Sequence, residues 1–360
     1  MRLRLLALPI LLAAALTMTS ADAAGPVSTI PQTPAPFVTG CMTTDAIAFD
    51  DANVYWATDS SVIVGNTDPS AVWTVPRTGG TPRQLMTTRG PVDLAIDDTD
   101  VFVAQKFDHR PINIGQPHWQ SWIAKVPKAG GAPVVIVKDR GNPKNVHVDA
   151  KRVYWLDNAG VHSASKDGTN VVTLYAKSRG AMIADADALY VMEWTGKAIN
   201  GESATGPVDR GGRLLRIAKQ GGPPKVLASA LLEIQSAAMD ATHLYLSTAS
   251  SYDLHNGELV RIDKRTGART TLARGQEWAR TVAVDDARMY FPSRAGIMSV
   301  PKTAGGKPAL WLAGTQPKSL AVSKGAVFVS GPISTAQARA CIGKYGASDP
   351  GQLLWSASAP

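Results

Sequence analysis

The 360-residue chain is poor in the residues that most site chemistry needs, with two cysteines, six histidines and 6% aromatics. No C-x-x-C, H-x-H or H-E-x-x-H spacing occurs, so the common zinc signatures are absent. Beyond the N-terminus no stretch reaches the ~18 uninterrupted apolar residues of a membrane-spanning helix, and no membrane insertion is expected. The formal charge is +8. The basic residues nevertheless form no compact run and are not interleaved with aromatics, which argues against nucleic acid as a partner.

What is present begins with MRLRLLALPILLAAALTMTSADAA. A basic start (Arg2, Arg4), a short apolar run from Leu5 to Leu16 and small residues at Ala21 and Ala23 read as a secretory signal peptide over residues 1–23. Residues 24–40 are rich in Pro, Ser and Thr and read as an extended linker, 41–345 as the folded body and 346–360 as a C-terminal tail. The protein is therefore expected to be exported, to the periplasm or beyond. Cys41 and Cys341 lie at opposite ends of the body, and in an exported chain such a pair is expected to form one disulfide.

Seven segments align without gaps: AIAFDDANVYW (46–56), DLAIDDTDVFV (93–103), NVHVDAKRVYW (145–155), AMIADADALYV (181–191), SAAMDATHLYL (236–246), TVAVDDARMYF (281–291) and SLAVSKGAVFV (319–329). Each reads as a strand, a polar turn and a second strand. An aromatic fills one column throughout: Tyr55, Phe102, Tyr154, Tyr190, Tyr245, Tyr290 and Phe328. Aspartate fills the turn column at Asp50, Asp97, Asp149, Asp185, Asp240 and Asp285, with Ser323 as the exception. Six copies continue into a third strand and a Gly-rich basic turn carrying Arg77, Lys128, Lys166, Lys219, Lys264 or Lys302, and then a fourth apolar stretch. Four strands recurring every 36 to 55 residues predict an all-β fold, a β-propeller of seven four-stranded blades. The last copy lacks an outer pair, so a terminal segment is expected to close the ring, with 37–44 the best candidate. A six-bladed ring with an extra flap is the alternative.

VYWATD (54–59) and VYWLDN (153–158) stand where secreted bacterial YWTD-like and TolB-like propellers carry their tyrosine-tryptophan strand, and the chain resembles that family over nearly all of its mature length. The remaining copies depart from the tetrapeptide. The resemblance implies a fold, and propellers host many unrelated activities.

Residues that recur in every copy are expected to be scaffold: the aspartates as acceptors for their own turns, the aromatics as packing between blades, and the basic column as a solvated, charge-balanced face. Ser163 and Lys166 match S-x-x-K, but on a strand rather than a helix, so the match is read as chance.

Departures from the repeat are the candidate site. Three long connections between second and third strands, 106–121, 193–212 and 250–257, are expected on one face at the mouth of the channel. Ligand-binding candidates there are Lys144, His147, Gln235, Trp278, Arg280, Lys318, Trp119 and Trp194. His147 occupies a column otherwise filled by alanine or isoleucine, and is the one catalytic candidate. Asp108, His109 and His118 are the metal candidates. No cofactor is expected, with a bound metal ion left as an alternative. The leading expectation is an exported, monomeric, non-catalytic propeller binding a peptide, glycan or protein partner on its loop-rich top face. The alternatives are a lyase or hydrolase using a channel-mouth histidine, with or without a metal, and a rigid scaffold within an envelope complex.

Overall fold

The computed structural model describes residues 35–59, 70–106, 121–139, 141–176, 180–194, 212–249, 257–277, 279–313, 319–323, 326–331 and 352–358. Each of the seven aligned copies folds as two antiparallel strands, and in the six that carry the aspartate its side chain holds the turn between them. Asp149 Oδ1 accepts the N–H groups of Lys151 and Arg152 at 2.9 Å each. The same two bonds recur at Asp50, Asp97, Asp185, Asp240 and Asp285. A carboxylate that satisfies two turn amides makes the reversal local and cheap in entropy.

The strands are β1 (Ala35–Phe49), β2 (Asn53–Asp59), β3 (Ser70–Pro76) and β4 (Arg83–Thr88), then β5 (Pro91–Ile96), β6 (Asp100–Gln105), β7 (Trp122–Pro127) and β8 (Val134–Lys138). They continue as β9 (Lys144–Val148), β10 (Arg152–Asp157), β11 (Gly160–Ser165) and β12 (Val172–Tyr175), then β13 (Gly180–Ala184), β14 (Ala188–Trp194), β15 (Gly212–Ala218) and β16 (Lys225–Leu231). Next come β17 (Glu233–Met239), β18 (His243–Ala249), β19 (Glu258–Asp263) and β20 (Arg269–Arg274), then β21 (Ala283–Val284), β22 (Arg288–Ser293), β23 (Gly296–Pro301) and β24 (Ala309–Ala313). β25 (Ser319–Ser323), β26 (Ala326–Gly331) and β27 (Gln352–Ser358) end the chain. β5 to β24 make five four-stranded antiparallel sheets in chain order, and successive innermost strands (β5, β9, β13, β17, β21) pack side by side around an axis. The chain is an all-β propeller with four-stranded blades.

The sheet count corrects the expectation of seven. The described strands form six sheets, the sixth being seven-stranded in the order β25-β26-β27-β1-β2-β3-β4. The physical reason is the length of β1. Its 15 residues pair with β2 from Thr43 onward and with β27 before that, so the first and last copies fuse into one sheet. β1 begins at Ala35, and β27 covers Gln352–Ser358. Cys341 and the signal-like residues lie outside the described residues, and only the backbone of Cys41 is described.

The core lies between sheets. Phe102, Ile123 and Ile136 of one sheet pack against Val146, Val153 and Trp155 of the next, and Tyr154 and Leu156 in turn against Met182, Leu189 and Leu215. A sheet radiating from an axis must bury both faces, which is why both alternate sets of residues on each second strand are apolar. Glycine is required where a turn meets the neighbouring sheet: at Gly168 (φ 87°) a Cβ would lie 2.0 Å from the carbonyl oxygen of Ile136 in β8.

The basic column is not a solvated face. Each lysine reaches across a seam to the turn aspartate of the preceding sheet: Lys128 to Asp50 (2.8 Å), Lys166 to Asp97 (2.6 Å), Lys219 to Asp149 (3.1 Å), Lys264 to Asp185 (2.9 Å) and Lys302 to Asp240 (2.7 Å). The side chains of Lys219, Lys264 and Lys302 are only 8–9% exposed. Four of these aspartates also accept the hydroxyl of the column tyrosine at 2.7–2.9 Å. The pattern breaks at the last copy, where Ser323 replaces aspartate. Arg77, whose counterpart would be that aspartate, instead lies over the rings of Phe49 and Phe328.

Candidate functional site

The innermost strand of each sheet presents one backbone edge to the channel, and unpaired N–H and C=O groups there need partners. Side chains from the first position of the repeat supply some of them. Asp93 Oδ2 accepts the N–H of Val146 (2.8 Å), Asn145 Oδ1 that of Met182 (3.1 Å) and Ser236 Oγ that of Val282 (3.2 Å), each one sheet further round the ring. Asn145 sits at φ 49°, the left-handed region that asparagine tolerates better than most residues.

His147 joins this stitching. Its Nε2 lies 3.1 Å from the carbonyl oxygen of Met182. A carbonyl can only accept, so Nε2 carries the proton and Nδ1 keeps its lone pair. Met182 is thus held at its N–H by Asn145 and at its C=O by His147. Burial lowers the imidazole pKa; the bond to Met182 opposes this and the nearby Lys219 charge adds to it, so the ring is neutral at pH 7. A neutral imidazole with one nitrogen committed to the scaffold serves as a clamp, with Nδ1 left as a hydrogen-bond acceptor.

Asp93 is the more unusual ionisable group. Burial pushes its carboxyl up to about 7, against the opposing pull of the N–H groups of Leu94 and Val146. A carboxyl whose pKa is raised on folding contributes stability that is complete below the unfolded value of ~3.9 and lost as pH rises through the folded value. We expect the advantage of the wild type over Asp93→Asn to be greatest near pH 4 and to shrink by roughly 1 kcal/mol per pH unit toward pH 7. His147 acts with the opposite sign in that window, so the readout is the difference between the two proteins in urea unfolding at each pH. A difference independent of pH would show that Asp93 titrates normally.

At the opposite ends of the strands from the aspartate turns, the third residue after the column aromatic is polar in each described copy up to the sixth: Thr58, Gln105, Asp157, Glu193, Thr248 and Ser293. These residues anchor the connections between second and third strands. Gln105, paired with Trp122 at the stem of the 106–121 loop, accepts from Thr88 Oγ1 (2.9 Å) and the Arg89 N–H (2.8 Å). Glu193, at the stem of the next long loop, accepts from Arg213 and from the Tyr175 hydroxyl (3.0 Å) of the preceding sheet. The third long loop springs from Thr248 and Glu258, and the buried Glu258 carboxylate is held by both Arg269 and Arg274. Where the turn is short, Asp157 accepts from Trp155 Nε1 (3.1 Å) and lies 3.0 Å from His162 Nε2.

The sequence candidates separate accordingly. Lys144 and His147 lie on β9, Gln235 on β17 and Arg280 just before β21; Lys144 and Arg280 are exposed. Lys144 and His147 thus share one sheet, while Gln235 belongs to another and Arg280 leads into a third. Trp194 ends β14, with only its backbone described. Trp119, Trp278, Lys318, Asp108, His109 and His118 lie outside the described residues. Among the described residues no three His, Cys, Asp or Glu side chains group to hold a metal ion, and no helix is long and apolar enough to cross a membrane. Ser163 and Lys166 hold different partners, Arg152 and Asp97. Reading by copy missed Asp93, Asn145 and Glu193, although polar residues in otherwise apolar columns were a visible signal.

No family model matches the chain, and no curated protein does. Solved structures do. BamB from Moraxella catarrhalis is 11% identical, with 90% of this chain and 100% of that one covered at a TM-score of 0.54. The β-propeller domain of the Trilobed protease from Pyrococcus furiosus is 10% identical over 82% of this chain and 93% of that one, at 0.57. The GH74 enzyme of Niastella koreensis is 13% identical over 83% of this chain and 52% of that one, at 0.57. At these identities the likeness is one of fold, and the fold shared with all three is the β-propeller.

Proposed function

We propose that the protein is an exported, non-catalytic β-propeller that binds a peptide, glycan or protein partner on its loop-rich face. The observation that carries this reading is the placement of the long connections. All three leave the same ends of the strands, and each stem is fixed by a buried polar group: Gln105, Glu193 or Glu258. Rigid stems beneath long loops are the arrangement by which a scaffold presents a variable surface. The commitment of His147 Nε2 to Met182 favours binding over a histidine-based lyase or hydrolase. Export is supported by the signal-like N-terminus, and a YWTD-like or TolB-like kinship by the tyrosine-tryptophan strands.

The ring, in this reading, is closed by the chain's two ends. The pairing of β27 with β26 on one side and β1 on the other supports it, as does the packing of β25 against both β21 and β1.

The test of the binding reading replaces residues 195–211 by a two-residue turn and screens both proteins against peptide and glycan arrays. A ligand bound by the wild type is expected to weaken at least tenfold with melting temperature unchanged. Retention of affinity in the shortened protein would remove the loop from the site.

A further inference from the structure

A cavity of about 430 Å³ opens at the other face, at the seam between the β9–β12 and β13–β16 sheets. That volume lies within the range of small-molecule sites, roughly 300–1,000 Å³. Its polar wall carries Lys151, Arg152 and Lys219 against one carboxylate, Asp149. Its apolar wall is the ring of Tyr154 with Val172 and Leu174 from β12, and Ser163, Ala186 and Gln220 complete the lining.

The cavity exists because two residues depart from the repeat at once. The residue opposite the column aromatic on the third strand is long and cationic in three other sheets: Lys125, Arg216 and Arg261. Here it is Ser163, and the cation comes instead from Arg152 on the second strand. Arg152 folds over the serine, its Nε and Nη2 donating to Ser163 Oγ at 3.1 and 3.0 Å and Nη2 also to the Asn170 carbonyl at 2.8 Å. Those partners are neutral, and Nη1 is left with both of its N–H groups. Arg288 and Ser299 repeat the pair in the β21–β24 sheet. There, among the described residues, the following copy supplies no cross-seam lysine. Among the described residues, the Arg–Ser pair and a buried cross-seam lysine coincide only at this seam.

The charge balance is then decided by what is already neutralised. Lys219 is matched by Asp149 at 3.1 Å. Among the described residues no carboxylate pairs with the Arg152 guanidinium or the Lys151 ammonium; Asp149 meets only their backbone N–H groups. Two uncompensated cations beside an aromatic and aliphatic wall suit a ligand with an acid group and an apolar body.

We propose that this cavity binds a small organic carboxylate, with its acid group against Arg152 and Lys151 and its apolar part on Tyr154, Val172 and Leu174. The site is independent of the loop-rich face, at the opposite ends of the strands.

The probes are phenylacetate and its neutral counterpart phenylacetamide, titrated calorimetrically into the full chain at low and high salt. Phenylacetate is expected to bind, with the amide at least about tenfold weaker and the acid weakening as salt rises. Arg152→Ala combined with Ser163→Arg rebuilds the Ala188 and Arg216 arrangement of the neighbouring sheet and fills the cavity. That variant is expected to melt like the wild type and to lose at least tenfold in phenylacetate affinity. Should it fail to fold, Lys151→Glu, at an exposed position, is expected to cost about fivefold by itself. The proposal is overturned by absence of phenylacetate binding to the wild type, by equal affinity for acid and amide, or by wild-type affinity in a folded variant.

Discussion

A chain ending at Gly351 is expected to lose more than about 5 kcal/mol of stability, most of what a typical domain has, and to aggregate. β27 pairs along its length with β26 and, through its other edge, with the first half of β1. Removing it breaks two ladders, and backbone hydrogen bonds contribute about 1 kcal/mol each in net terms. It also turns two strands into open edges, which template association between chains. Size-exclusion chromatography and urea unfolding of the truncated protein measure this. A monomer with the wild-type midpoint would mean that the ring stands open, as the open velcro topology of the Trilobed protease propeller shows that the fold allows.

The second large effect is expected at the cross-seam charge pairs. Asp185→Ala strands the ammonium of Lys264, only 9% exposed, together with the Tyr190 hydroxyl and the turn amides of Asp187 and Ala188. Removing one partner of a largely buried pair costs about 3–5 kcal/mol; with Asp185 itself part-exposed, about 3 kcal/mol is expected. The same pairs set the response to acid. Burial raises the carboxyls of Asp50 and Asp185, but lysine, tyrosine and backbone donors outweigh it and hold both at about 2. Asp149 is at about 2 for the same reasons. A carboxyl depressed on folding contributes stability that is complete above its unfolded pKa of ~3.9 and lost as pH falls through the folded value. The wild type is therefore expected to lose stability between about pH 4 and pH 2, on the order of 2 kcal/mol for each such aspartate. Asp185→Ala is expected to show a shallower acid limb. An unchanged limb would mean that Lys264 and Asp185 contribute no more than an exposed pair.

Much of this was legible in the sequence because the repeat reports on itself. Asp149 and Tyr154 recur in register with their counterparts, and their role in the turn could be read from the spacing alone. The partner of Asp149 could not. An alignment shows that a lysine column and an aspartate column exist, but the lysine that meets Asp149 is Lys219, one copy further along. Sheet count was lost for a similar reason. Strand pairing between residues 35–42 and 352–358 has no local signature, and the Pro-rich start of β1 reads as linker until a partner strand is placed beside it. At the site, His147 was visible as an exception in an alanine column. Its bond to Met182 depends on the approach of the next sheet, which no single strand encodes. Asp93 was hidden by its variety of counterparts: Ala46, Asn145 and Ser236 occupy the same position, and only the fold shows that Asp93, Asn145 and Ser236 cap the adjacent strand.

The central claim, that a partner docks on the loop-rich face of a scaffold, is tested most directly by lysine cross-linking of the protein in the cells that produce it and their medium, followed by mass spectrometry. Lys106 and Lys144 belong to the loop-bearing ends of the strands and Lys197 to the sequence of the connection between β14 and β15, while Lys151, Lys225 and Lys307 belong to the aspartate-turn ends. The account predicts cross-links to other molecules concentrated on the first three. Cross-links confined to Lys151, Lys225 and Lys307 would contradict it.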